Sequence, residues 1–312
     1  SRLVCGDKMG RRKAYKKPKR FKRTSPKITA GLQTPGRSLS KLLKSTIYTA
    51  IAGAWLAVLI YTASVERYVS HKIADVVEAD TIAPEQIANA TGVVHVLRSD
   101  AIFTEPQIQK YIDSYAKEHY SSFMLWNDDK ANVVPGSALG LDNKHHFSNS
   151  YLIGFAPFEA DKMWIPLYTL SKKLTYQYDE KQYNGLLDVW QNSKQAFFNT
   201  RGDCEDHAIA LSDWLIEMGF DARVAVGTYK SEGHAWVIVF KEGKEYLLEA
   251  TEKSKSAVWT NYPLARLQSN YRPEYMFNRE YFWVNSGSRY TTRYSGNHWR
   301  KVSRYKGSTL AL

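Results

Sequence analysis

Cysteine is nearly absent from this chain: 312 residues carry two, Cys5 and Cys204. One cysteine beyond the N-terminal segment leaves no pair for an internal disulfide there and excludes a disulfide-stapled fold. Burial as a small hydrophobe, or chemistry, then explains Cys204. Acid is nearly absent from the first 44 residues, which set 15 Lys and Arg against Asp7 alone. Residues 45–312 hold 28 Lys and Arg and 30 Asp and Glu, so the formal charge of +12 belongs to the first 44 residues. The remainder gives no reason to expect a nucleic-acid partner. Charge of either sign is absent from Ser45 to Val65.

That uncharged run is long enough to span the roughly 30 Å hydrocarbon core at about 1.5 Å per helical residue. Lys41 and Lys44 precede it and Glu66-Arg67 follow it. It reads as a single-pass signal anchor over 45–65, longer than the apolar region of a cleaved signal peptide. The positive-inside rule then keeps residues 1–44 in the cytoplasm as a basic disordered tail facing anionic lipid headgroups. The rest of the chain is placed in the periplasm or outside the cell, with the inner (cytoplasmic) membrane as the location.

Residues 66–158 read as a helical stalk followed by an extension of unknown fold, with a helix over Pro106–Tyr120. Residues 126–150 read as loop and carry His145-His146 as exposed histidines, since adjacent side chains do not converge on one metal ion. From 159 to 285 the pattern predicts helices over 162–176, near Lys194–Phe198 and over Cys204–Met218. Three strands follow: Arg223–Tyr229, His234–Phe240 and Glu245–Thr251. Helices first and strands after predict an α+β domain with an antiparallel sheet. Residues 286–312, without an acid after Glu280, read as a basic C-terminal tail.

The chemistry concentrates in Gly202-Asp203-Cys204-Glu205-Asp206-His207-Ala208, then Gly233-His234-Ala235-Trp236, then Glu249. Asp203 is a good N-cap, which puts Cys204 at the start of a helix, where unpaired N–H groups favour a thiolate. Asp203, Glu205 and Asp206 oppose that, so a nearby imidazolium is needed. A two-residue turn at Glu242-Gly243 would set Phe240 opposite Glu245 and Trp236 opposite Glu249. His234 and Glu249 then become same-face diagonal neighbours. A nucleophile, a base and an acid that orients the base follow from this order.

These blocks, with Ala222-Arg223-Val224, Tyr246-Leu247-Leu248-Glu249-Ala250-Thr251 and the upstream Asp188-Val189-Trp190-Gln191, resemble the transglutaminase-like superfamily, in particular its bacterial cysteine peptidases. The resemblance covers roughly residues 160–260. It implies a papain-like core, a Cys-bearing helix packed on an antiparallel sheet. Cys204 would be the nucleophile, His234 the base and Glu249 the orienting acid, where the family usually has Asp. Trp190, Gln191 and Trp236 become candidate oxyanion or substrate-binding residues. No cofactor is required, and Asp203 and Glu205 match acids that bind calcium in some members. The expected function is hydrolysis of a protein or peptide substrate through a thioester. The alternatives are a crosslinking transglutaminase, a silent module that binds peptide or cell-envelope polymer, and a metal-binding sensory ectodomain.

Overall fold

Glu242 and Gly243 turn the chain at positive φ, 51° and 70°, the backbone a two-residue hairpin needs to match strand twist. They join Glu232–Lys241 to Lys244–Leu248, with Phe240 opposite Glu245. The hairpin register read from the sequence is the register formed. The computed structural model describes residues 37–79, 82–115, 122–126, 134–251 and 262–307.

Six α-helices lie among these residues: α1 (Arg37–Ala79), α2 (Glu105–Tyr115), α3 (Trp164–Lys173), α4 (Asp179–Gln182), α5 (Ser193–Asn199) and α6 (Cys204–Glu217). The strands are β1 (Gly92–Val96), β2 (Ile102–Thr104), β3 (Met124–Trp126), β4 (Val134–Gly140), β5 (His145–Phe147), β6 (Thr175–Tyr176), β7 (Val189–Trp190), β8 (Arg201–Gly202), β9 (Asp221–Tyr229), β10 (Glu232–Lys241), β11 (Lys244–Leu248), β12 (Tyr271–Phe277), β13 (Tyr281–Asn285) and β14 (Trp299–Gly307). The fold is mixed α+β. Eight strands form one antiparallel sheet in the order β11-β10-β9-β12-β13-β14-β1-β2, and β3, β4, β5 and β7 form a smaller one.

The chain divides into two units near His71, within α1. In the N-terminal unit, Trp55, Leu56, Leu59 and Ile60 are all exposed. By length and composition α1 is the helix among the described residues that can cross a membrane; the most apolar 18-residue window within Leu43–Glu78 has a mean hydropathy of 1.6. Arg37 to Lys44, expected in a disordered tail, are helical, because the helix continues N-terminally from the apolar run. Residues 1–36 of that tail lie outside the described residues.

In the second unit, side-chain alternation along β10 builds two cores, as period 2 requires. Ala235, Val237 and Val239 join Val224, Val226 and Phe277 beneath Ala208, Leu211 and Leu215 of α6. Trp236 and Ile238 point the other way, to Met276, Trp283 and Tyr294. Each such large side chain contributes roughly 1.5–3 kcal/mol on full burial.

Three expectations are corrected. The tail 286–312 instead supplies β14, an inner strand paired with β13 and β1. Val302, Ser303 and Tyr305 are buried on it while Lys301, Arg304 and Lys306 are exposed, so its charges mark one strand face rather than a solvated tail. The extension 66–158 is not separate from 159–285, because β1 and β2 complete the same sheet. The loop 126–150 contains β4 and β5. Pro135-Gly136 suggested a turn, but Gly136 lies where the Phe123 ring crosses β4, and a Cβ there would stand 2.0 Å from that ring.

Candidate active site

Cys204 is the first residue of α6, and α6 packs against β9 and β10. Its side chain is buried, and Sγ lies 3.3 Å from Glu205 Oε2. Asp203 occupies the N-cap position but makes no capping hydrogen bond. Its carboxylate turns into a cluster of acids instead.

His234 Nε2 lies 2.8 Å from Glu249 Oε2. Glu249 also accepts from the Thr251 hydroxyl at 2.7 Å, the Thr251 N–H at 3.2 Å and the Tyr271 hydroxyl at 3.1 Å. Burial works against ionisation of Glu249, but the His234 imidazole and these bonds hold its carboxyl below the usual range. His234 shares the parity of Trp236 and stacks on it, with ring centroids 6.1 Å apart, beside Tyr229 and Tyr271. Burial raises the carboxyl of Asp203, the residue before the cysteine, and His234 opposes that rise.

The acids form the most unusual part of the site. Asp179, Asp203, Glu205 and Asp206 are all buried, each with an oxygen within 4.8 Å of the others. Burial first, and mutual repulsion second, raise Asp179, Glu205 and Asp206 well above the carboxylate range. Asp188, beside them, is pushed up to about 8 by burial and by Asp203. Asp188 accepts from the Phe123 N–H at 2.6 Å and the Trp190 indole at 2.7 Å. Asp206 accepts from the Gln191 N–H at 2.7 Å and its amide at 2.6 Å. Asp179 and Asp188 escaped the sequence reading. Asp188 opened a block already singled out, but Asp179 reaches the site through tertiary packing and has no spacing signal.

The candidate oxyanion and substrate residues have their side-chain donors engaged in this structure. Trp190 gives its indole N–H to Asp188, and Gln191 gives its amide to Asp206 and to the Arg201 carbonyl at 2.7 Å. Trp236 gives its indole N–H to Tyr294 at 3.0 Å. All three are fully buried, and these donors tie the scaffold together. Gly202 is part of the same scaffold: a Cβ there would stand 2.2 Å from Asp206 Oδ2. Gly202→Ala is expected to displace that carboxylate and cost about 1–3 kcal/mol, read as a lower urea midpoint at unchanged slope.

His145 and His146 are buried on β5, not exposed in a loop. His146 lies 2.9 Å from Asp142 and 3.2 Å from Glu105. Burial disfavours its charged form, yet these two carboxylates raise it from 6.5 to about 9. The imidazolium therefore stabilises the fold fully below pH 6.5, and that contribution is lost as pH rises through 9. The difference corresponds to roughly 3 kcal/mol. On the order of 1–2 kcal/mol remains after screening, since the Asp142 side chain is 43% exposed. His146→Gln should remove this loss between pH 7 and 9.5 in urea unfolding.

A family model for the CEP76 peptidase-like domain matches residues 188–301, a range that includes Cys204, His234 and Glu249. The human Protein CC2D2B is 38% identical over 61 residues, which is 20% of this chain and 4% of that protein's length. This chain thus spans a small part of the curated relative it matches. Among solved structures, a candidate cysteine protease from Cytophaga hutchinsonii aligns with a TM-score of 0.25 and 14% identity, over 33% of this chain and 35% of that one. The similarity that bears on function is to a peptidase-like domain, and it covers the stretch that holds the cysteine, the histidine and the glutamate.

Proposed function

We propose that residues 159–285, completed by the strands on either side, act as a peptidase-like thiol hydrolase held at a membrane by α1. The observation that carries this is the His234–Glu249 hydrogen bond of 2.8 Å, with His234 on β10, a strand packed against the helix that begins at Cys204. His234 takes the Cys204 proton and Glu249 stabilises the imidazolium. The sulfur attacks an amide carbonyl, the C–N bond breaks as His234 returns the proton to the amine, and a thioester remains. Water activated by His234 then releases the acid and the thiol; an amine in place of water would make the reaction a crosslinking one. Protein or peptide is the substrate class. The basic N-terminal segment faces the cytoplasm and anionic headgroups, and the catalytic unit lies in the periplasm or outside the cell.

Incubating the reduced full-length Cys5→Ser chain with an activated acyl ester tests this by intact mass. One acyl group on Cys204, absent in Cys204→Ala and hydrolysed over time, is expected. No adduct would remove the proposal. A second reading, a silent module that binds peptide or envelope polymer, is favoured by the complete burial of Cys204 and its approach to Glu205. It predicts an inert cysteine in the same experiment.

A further inference from the structure

We propose that a basic rim at the His234 end of the large sheet recruits acidic peptide as the substrate, an inference that rests on the hydrolase reading above. Antiparallel pairing gathers three connections at that end. Glu232 lies opposite Tyr229, Tyr229 opposite Tyr271, and Asn285 opposite Trp299. The Lys230 N–H donates to the Asn270 carbonyl at 3.2 Å, and the Asn285 amide donates to the Pro273 carbonyl at 2.9 Å. The β9–β10 turn, the entry to β12 and the β13–β14 connection are thereby tied together, and His234 is the third residue of β10. Residues 230–232, 270–272 and 286–298 carry Lys230, Arg272, Arg289 and Arg293 against one acid, Glu232. Arg223, Arg279 and Arg304 each pair with a carboxylate; none of these four does so among the described residues. Residues 45–312 as a whole hold slightly more acid than base, so the rim is a local concentration of charge rather than background basicity.

Aromatic rings connect this charge to the candidate base. Lys230 Nζ lies 4.9 Å from the centre of the Tyr229 ring, which is 5.7 Å from that of His234. Tyr229 also lies 4.5 Å from Tyr271, whose hydroxyl donates to Glu249. Arg272, the next residue, and Arg289 both stand over the Tyr290 ring, at 4.8 and 5.5 Å. Tyr290 is 63% exposed, so solvent reaches this pair. Two guanidiniums gathered on one ring repel each other, and an anion between them relieves that repulsion. Their planar forks match carboxylates bidentately. A single-stranded nucleic acid would need successive open ring faces for its bases; Tyr229 and Tyr271 are instead packed with each other and with His234. Glu232 also breaks a continuous phosphate track. Carboxylates spaced along a peptide fit these separated cations better.

The test uses the full-length chain carrying Cys204→Ala, which keeps the rim but cannot form a thioester, and a fluorescent octapeptide with four glutamates and a photoreactive benzophenone. Anisotropy gives the affinity, and mass spectrometry of the cross-linked chain gives the place. Adducts within 229–234, 270–273 or 286–293 are expected, with an affinity that falls as salt rises. Arg272→Gln with Arg289→Gln should weaken binding roughly 10-fold, the combined effect of two rim ion pairs, at an unchanged unfolding midpoint. Lys230→Gln, at an exposed turn, should weaken it roughly 3-fold and carries the test if the double variant does not fold. Unchanged affinity in these variants would overturn the rim. So would adducts confined to residues 1–44, or a glutamine octapeptide that binds as tightly. A photoreactive oligothymidylate of the same charge that binds more tightly and cross-links at the rim would overturn it in favour of nucleic acid. The activated acyl ester reports separately on the hydrolase reading. An acyl adduct on Cys204 without rim-dependent peptide binding removes this inference alone. Rim-dependent binding without an acyl adduct removes the hydrolase reading and leaves the rim serving the silent module.

Discussion

Arg279→Met should destabilise the second unit by about 3–5 kcal/mol, the largest loss expected from one surface-reaching residue. Asp213 lies on α6 and is fully buried. Its Oδ2 accepts from the Gly154 and Phe155 N–H groups at 3.0 and 2.8 Å and from the Ser193 hydroxyl. Its Oδ1 faces Arg279 Nε at 2.5 Å, and Arg279 also donates to the Asp213 carbonyl at 2.9 Å. Burial alone pushes the Asp213 carboxyl up; Arg279 and the N–H donors oppose it. Methionine keeps the aliphatic stem and leaves a buried charge without its counter-ion. Urea unfolding should show the loss at neutral pH. Arg279→Met with Asp213→Asn should recover a large part of it, because the uncompensated charge is then gone. A single variant within 1 kcal/mol of wild type would show that the Ser193 and backbone donors suffice.

Glu249→Gln should slow acylation of Cys204 by about 10²–10⁴-fold, because the general base His234 then loses the acid that orients it and stabilises its charge. Glutamine preserves length and can still accept from Thr251 and Tyr271. It cannot stabilise an imidazolium, and its amide N–H can hold His234 in the wrong tautomer. The change should fall on the rate of the chemical step with little effect on substrate binding. A shift of the rate midpoint to higher pH would accompany it. A purely structural role for Glu249 predicts instead an unchanged pH profile in whatever fraction stays folded.

Much of this site was legible because local patterns carried it. A turn at Glu242-Gly243 fixes one hairpin register, and side-chain alternation then brings His234 and Glu249 together. The positions of Cys204 and of the helix after it follow from helical spacing and a capping-type residue. What was not legible depended on packing between distant segments. Asp203 looked like a cap, yet its carboxylate serves a cluster completed by Asp179, 24 positions upstream. Trp190, Gln191 and Trp236 looked like substrate contacts, yet buried acids and Tyr294 take their donors. The strand at Trp299–Gly307 read as a tail because its exposed face is basic, and composition does not report which partner strand covers the other edge. His145-His146 read as loop because Glu105, the remote partner, lies about 40 positions away.

The most direct measurement is the alkylation rate of Cys204 against pH, in the reduced full-length Cys5→Ser chain with and without His234→Ala. The account predicts a rate midpoint well below the free-thiol value of about 8.5, lost in His234→Ala. Slow alkylation at every pH, the same in both chains, would contradict it and leave the domain as a binding module.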